Sequence, residues 1–73
     1  MSIKNMIEAE MALKGISKAE LSDATGISKA SLYRKINGIS FFNSDEIVKI
    51  ANVLRLPTDR IVEIFFANEV SKY

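Results

Sequence analysis

The stretch SKAELSDATGISKASLYRKING, residues 17–38, decides the fold of this chain. Ser17 followed three residues later by Glu20 is a capping-box pattern, in which each side chain bonds the backbone N–H group of the other residue. The pattern predicts a helix that begins near Lys18. Gly26 ends this helix after about two turns, because glycine readily takes the left-handed conformation that stops a helix.

A second short helix follows directly in the same stretch. Ser28 can cap its amino terminus, and Asn37-Gly38 ends it. Only the turn 26–28 separates the two helices, with Ile27 as an apolar plug. Two short helices joined in this way are typical of a helix-turn-helix motif, whose second helix lies in the major groove of DNA. The spacing alone also fits a plain helical hairpin within a bundle.

The motif predicts which side chains of its two helices face the core. Residues four apart on a helix share a face, as Leu32 and Ile36 do. The side chains expected to point inward are those of Leu21, Thr25, Ile27, Leu32 and Ile36. The side chains expected to project outward from the second helix are those of Lys29, Ala30, Tyr33 and Arg34.

The rest of the chain predicts three more helices. The first covers about Ile3 to Lys14 and ends at Gly15, with apolar residues at helical spacing at Ile3, Met6, Ile7 and Leu13. The fourth begins at the cap Ser44, and its apolar stripe is Ile47, Ile50, Ala51 and Leu54. Pro57 and Thr58 open the fifth, about residues 58–70, whose core stripe is Ile61, Ile64 and Phe65. No stretch alternates cleanly enough to predict a strand, so we expect a single all-α domain, residues 1–73, of five short helices.

The composition argues against several classes of protein. The chain has no cysteine and no histidine, the residues that most often serve as metal ligands and general bases. Its adjacent acids Asp45 and Glu46 are better explained as residues at the positive end of a helix dipole than as a catalytic pair. No apolar run is long enough for a signal peptide or a membrane span. We therefore expect a cytoplasmic protein that is not an enzyme and uses no cofactor, metal, membrane or small-molecule substrate.

Basic residues are distributed unevenly, although the net charge is only +1. Residues 11–40 contain five Lys or Arg and two Asp or Glu. Within residues 28–40 there are three basic side chains and no acidic one. A local basic patch favours an anionic partner, but a solvated helix face would have the same composition.

At this point the sequence resembles a known family. Residues 17–38 are similar to the helix-turn-helix of the Cro/CI-type phage repressors, and the ending Tyr-Arg-Lys-Ile-Asn-Gly, 33–38, resembles small regulators of phages of Gram-positive bacteria. The resemblance extends over about residues 3–66. It implies a lambda-repressor-like domain that binds double-stranded DNA and regulates transcription. One departure is Ser22, which stands where these proteins usually have alanine.

The resemblance also implies which residues contact DNA. The positions that read bases in the family fall on Lys29, Ala30 and Arg34. Arginine can bond guanine through two nitrogens, lysine can reach guanine or phosphate, and an alanine methyl suits the methyl of thymine. The positions that contact phosphate in the family fall on Lys18, Ser31, Tyr33, Lys35 and Asn37.

Two apolar segments leave a second function open. The loop Ile39-Ser40-Phe41-Phe42 lacks the lysine found there in many relatives, and either phenylalanine can fold back into the core or remain exposed. The predicted fifth helix carries a second stripe at Val62, Phe66 and Val70, which we interpret as an interface. Proteins of the Cro/CI type often dimerise through this region. The partner is then a second copy or another regulatory protein, and the alternative function is that of a phage modulator or antirepressor that binds another regulator.

Overall fold

The computed structural model describes residues 2–66, and this part of the chain is helical with no strand. The elements in order are α1 (Ile3–Lys14), α2 (Lys18–Thr25), α3 (Lys29–Ile36), α4 (Ser44–Leu54), α5 (Thr58–Ile61) and a π-helix (Val62–Phe66). The predicted all-α class with five short α-helices is confirmed. The α2–α3 pair lies on the segment for which a helix-turn-helix was predicted.

The predicted helix boundaries around the motif are confirmed in detail. The Ser17 hydroxyl accepts the Glu20 N–H at 3.1 Å, and the Glu20 carboxylate accepts the Ser17 N–H at 3.0 Å. Gly26 has φ +75°, the left-handed conformation expected where α2 ends. The Ser28 hydroxyl accepts the Ser31 N–H at 3.2 Å and so caps α3. The side chains of Ser17, Glu20 and Ser28 therefore fix where α2 and α3 begin.

The turn of the motif is held by side chains of α2. Ile27 is buried, so its backbone groups need partners within the protein. The Ile27 N–H donates to the Thr25 hydroxyl at 3.3 Å, and its carbonyl accepts from the Ser22 hydroxyl at 2.6 Å. These bonds hold the start of α3 against the end of α2. Ser22 thus supplies a buried hydrogen bond that an alanine at this position could not make.

The core is formed by side chains of α1, α2, α3 and α4 together with Ile64 of the π-helix, which packs on α1. Six side chains are no more than 2% exposed, and they come from all four of the longer helices: Ile7, Leu21, Leu32, Ile36, Ile50 and Leu54. The predicted inward residues Thr25 and Ile27 are buried as well. Because Leu32 and Ile36 occupy one face of α3, the opposite face is left to solvent.

Leu13, which the sequence places at helical spacing with Ile3, Met6 and Ile7, does not share their inner face, since its side chain is 77% exposed. An α-helix turns by about 100° per residue, which places Leu13 about 120° from Ile7 around the axis. Met11, four residues after Ile7, takes the inner position and is 5% exposed. Leucine is a residue type common in cores, but position 13 lies at the wrong angle around the axis of α1.

Glu10 is the charged residue on the inner face of α1. Its carboxylate accepts hydrogen bonds from Lys14 Nζ at 2.5 Å and from Arg60 Nε at 2.7 Å. Arg60 also pairs with Glu63, so the cluster joins α1 to the last described helices. The hydrogen bonds from Lys14 and Arg60 hold the pKa of Glu10 below its ordinary value, and burial opposes them only in part.

The predicted start of the fourth helix is wrong by one residue. Asn43 rather than Ser44 is the cap: its side-chain oxygen accepts the Glu46 N–H at 2.8 Å, and the Glu46 carboxylate accepts the Asn43 N–H at 2.9 Å. A capping box requires an acid or amide three residues after the cap. Asn43 has Glu46 at that position, whereas Ser44 has Ile47.

The predicted fifth helix begins at Thr58 as expected but changes form along its length. The α-helical part ends at Ile61 and continues as a π-helix to Phe66; residues 67–70 of the predicted helix lie outside the described part of the chain. Its predicted core stripe is nonetheless in place, with Ile64 buried and Phe65 packed partly against the core. Apolar spacing alone does not separate an α-turn from the wider π-turn, whose form depends on tertiary contacts.

The left-handed conformation of Gly26 gives a test of the turn. Gly26→Val should lower the free energy of unfolding by more than about 1 kcal/mol, because a β-branched residue is strained at positive φ. No atom lies within 4 Å of an added Cβ, so the cost is backbone strain rather than a clash. Gly26→Asn is the matched control and should be milder, since asparagine tolerates this conformation. Urea unfolding of the three proteins measures the difference, and equal midpoints would contradict the assigned turn.

Candidate nucleic-acid interface

The outer face of α3 carries the side chains predicted to read bases. Lys29, Ala30 and Arg34 are exposed, and Tyr33 between them is 61% exposed. They are exposed while Leu32 and Ile36 of the same helix are buried, so the predicted outward orientation is confirmed. Neither Lys29 nor Arg34 has an ion-pair partner within residues 2–66. The face presents two cations and an aromatic ring to solvent.

A groove between the start of α2 and the outer face of α3 brings further predicted residues together. Its volume is about 250 Å³, and its lining is Lys18, Ala19, Lys29, Leu32 and Tyr33. Lys18 and Tyr33 are two of the predicted phosphate contacts, while Lys29 is a predicted base contact. The groove therefore places residues from both classes on one side of the molecule.

Lys18 is not free in this arrangement. Its Nζ lies 3.0 Å from the carboxylate of Glu8 on α1, and the two side chains are 51% and 36% exposed. Both groups are in contact with water, so the pair is of the exposed kind that contributes little to stability. The sequence does not predict this pair, because nothing local relates position 8 to position 18.

Lys35, another predicted phosphate contact, is bound within the protein. Its Nζ donates to both carboxylate oxygens of Glu46, at 2.8 and 2.6 Å, and the two side chains are only 17% and 15% exposed. Burial raises the pKa of Glu46, but the hydrogen bonds from Lys35 and from the Asn43 N–H outweigh it and lower the pKa overall. Two of the three N–H donors of the Lys35 ammonium are thus engaged within the protein, and the side chain is mostly buried.

The remaining predicted phosphate contacts are close to the ends of α3. Ser31 is half-buried in the first turn, where its N–H is bonded to the cap. Asn37 is at the carboxyl end, and its side-chain amide donates to the Tyr33 carbonyl at 2.8 Å. The same carbonyl accepts the backbone N–H of Asn37 at 3.0 Å, so the side chain adds a second bond to it in the last turn of the helix. Asn37 thus has a structural role in ending α3 whether or not it meets phosphate.

The two phenylalanines of the α3–α4 loop separate into different environments. Phe42 packs edge-on against Phe65, with ring centroids 5.6 Å apart, and joins the core. Phe41 is 88% exposed, and Ile39 beside it is 67% exposed. The sequence left both positions open: Phe42 folds back against the core, while Ile39 and Phe41 form the exposed loop tip.

The predicted interface stripe is only partly covered by the described residues. Val62 and Phe66 are 42% and 39% exposed on the π-helix. Val70, the third member of the stripe, lies beyond residue 66 and outside the described part. Across residues 2–66 there is no group of side chains suited to holding a metal ion. None of the helices in this range is long and apolar enough to cross a membrane.

Comparison with known proteins adds one finding to this geometry. The sequence pattern of the family described as the Cro/C1-type HTH DNA-binding domain matches residues 6–64. The chain belongs to this family. The matched range begins in α1 and ends in the π-helix, so it includes the whole helix-turn-helix and the core that supports it. No curated protein and no solved structure matched the chain.

Membership of the Cro/C1-type family makes the chain a DNA-binding helix-turn-helix domain. In a helix-turn-helix the second helix enters the major groove, and the first crosses the backbone. Here α2 is the first helix of the motif and α3 is the second. The pairing of Lys18 and Lys35 with carboxylates is a feature of this chain that the motif does not predict.

The pairing of Lys35 gives a prediction that separates stability from DNA binding. Lys35→Met should lower the free energy of unfolding by about 1–2 kcal/mol, because Glu46 loses a partner in a mostly buried position. The salt dependence of DNA binding should stay unchanged if the ammonium remains on Glu46. Lys4→Met, which removes an exposed lysine of α1, should change neither quantity. Unchanged stability with a log–log salt slope reduced by about one would instead assign Lys35 to phosphate.

Proposed function

We propose that the protein is a sequence-specific transcriptional regulator of the Cro-like or repressor-like kind, which acts by occluding a promoter. The observation that carries this proposal is the outer face of α3, where Lys29 and Arg34 are exposed and unpaired within residues 2–66. In the proposal this face enters the major groove. The setting is the cytoplasm of a bacterial cell, with the protein encoded by a phage or prophage and associated with the nucleoid when bound.

Side chains on this face have the chemistry of base recognition. The Arg34 guanidinium can bond the O6 and N7 atoms of guanine, and Lys29 can reach guanine or phosphate. Ala30 presents a methyl group, which suits contact with the methyl of thymine. Phosphate contacts flank these residues in the proposal, from Lys18, Tyr33, Ser31 and Asn37.

Arg34→Ala tests the assignment of the recognition helix. On a duplex selected from a random library by the wild type, the variant should bind about 1–3 kcal/mol more weakly and lose its preference at one base position. Lys49→Ala, which removes an exposed lysine of α4, is the control for the charge change. Competition titrations of selected against random DNA give the preference. An unchanged preference for the selected duplex would refute the role given to Arg34.

A two-fold dimer through the carboxyl-terminal segment is part of the proposal. Val62 and Phe66 remain substantially exposed where the described chain ends, and an apolar surface of this kind favours an interface. A two-fold dimer would present two α3 helices to half-sites about 34 Å apart. Val70 is assigned to the same interface from the sequence.

Phe66→Glu tests the dimer. A carboxylate cannot be buried in an apolar contact, and a two-fold interface would contain it twice. Sedimentation at tens of micromolar should therefore show an associated wild type and a monomeric variant that keeps its helical circular dichroism. Val48→Glu replaces an exposed apolar residue of α4 and should leave association intact. A monomeric wild type would exclude self-association at that concentration, and a variant without helical signal would assign Phe66 to the core.

The exposed loop tip favours a second candidate function. Ile39 and Phe41 stand out from the fold beside the carboxyl end of α3 and could contact another regulatory protein, as in a phage modulator or antirepressor. Salt distinguishes the two functions. Binding to DNA through several phosphates weakens with a slope of about −0.9 per phosphate, whereas an apolar protein interface is nearly indifferent to salt.

A further inference from the structure

The two lysines that form ion pairs beside the outer face of α3, Lys18 and Lys35, differ in how firmly they are held. Lys35 is enclosed and bonded to both oxygens of Glu46, so it is part of the fold. Lys18 makes one contact of 3.0 Å with Glu8, and both partners remain open to water. The Lys18 pair can therefore open or accept a second anion without disturbing the core.

We propose that Glu8 determines how strongly the domain binds DNA, because its carboxylate competes with a DNA phosphate for Lys18. The inference rests on the proposed binding of DNA by α2 and α3. Glu8 lies on α1, outside the helix-turn-helix, and its carboxylate meets a DNA phosphate only where Lys18 holds that phosphate beside it. It is a positioning residue, since it decides whether that ammonium is available.

Simple geometry shows why the carboxylate opposes binding. A phosphate oxygen that accepts from Lys18 Nζ lies about 3 Å from the nitrogen. Because Glu8 is 3.0 Å from the same nitrogen, the two anionic oxygens can be no more than about 6 Å apart while the pair persists. At that separation two like charges in water repel enough to weaken binding about threefold. If Lys18 instead turns away to reach the phosphate, its contact with Glu8 is lost.

The same competition changes the salt dependence of binding. A free lysine that meets a phosphate releases a condensed cation, which contributes about −0.9 to the log–log slope. When Lys18 leaves Glu8, the freed carboxylate attracts cations from solution. This uptake of cations partly cancels the release of a cation from the DNA. Lys18 should therefore contribute less than a full phosphate contact to the slope of the wild type. Removing the charge of Glu8 should restore the full contribution.

The experiment compares Glu8→Gln with Asp59→Asn. Both changes remove one negative charge at an exposed or half-exposed helical position, but Asp59 has no ion-pair partner within residues 2–66. Each variant is prepared in the wild-type chain and in a Lys18→Gln background. Full-length proteins are titrated with a random-sequence duplex between about 50 and about 200 mM salt, since phosphate contact needs no specific site.

We expect Glu8→Gln to bind the duplex about threefold more tightly than Asp59→Asn at the lowest salt, with a slope steeper by up to about 0.9. In the Lys18→Gln background the two variants should bind alike. Thermal unfolding should show that Glu8→Gln keeps the stability of the wild type within about 1 kcal/mol, as is usual for an exposed pair.

Three results would overturn the inference while leaving DNA binding in place. These are equal affinities for Glu8→Gln and Asp59→Asn, weaker binding by Glu8→Gln, or an effect of Glu8→Gln that persists without Lys18. A wild type that does not bind the duplex at any salt concentration overturns the proposed function itself, and the two failures are thereby distinguished.

Discussion

The buried backbone of Ile27 is the constraint on which the rest of the structure depends. Ile27 cannot anchor the turn unless both of its peptide groups are bonded, because an unpaired buried N–H or carbonyl costs about 1–3 kcal/mol. Thr25 and Ser22 supply those bonds from the last turns of α2. The direction in which α3 leaves the turn is thereby tied to α2. That direction decides which side of α3 meets the core and which side carries Lys29 and Arg34 to solvent.

Local signals in the sequence were enough to predict most of the helical architecture. The capping box at Ser17 and the glycine at position 26 act within a few residues, so their effects can be read without knowledge of the fold. The errors arose where local signals were weak or competed. Ser44 and Asn43 are both good caps, and only the acid at position 46 decides between them. Leu13 has the right residue type but the wrong angle around α1.

Contacts between distant segments could not be predicted from the sequence. Glu10 is buried because Arg60, fifty residues later, folds onto it together with Lys14. The spacing of apolar residues and the family resemblance predict which side of α3 faces outward. They do not predict that Lys18 and Lys35 form ion pairs, because the partners Glu8 and Glu46 lie on other helices. Tertiary structure thus decides which lysines pair with carboxylates, and a count of basic residues overstates how many are free to bind an anion.

The ion pair between Lys35 and Glu46 also has a consequence for how this domain can diverge. It joins the last turn of α3 to the first turn of α4 and so closes the loop between them at its base. Phe42 packs against Phe65 and holds the loop on the core. The side chains of Ile39 and Phe41 are exposed and take no part in these contacts. Substitutions at these two positions leave the supporting contacts untouched. Evolution is therefore able to alter the loop tip, and with it the surface next to the recognition helix, at little expense to folding.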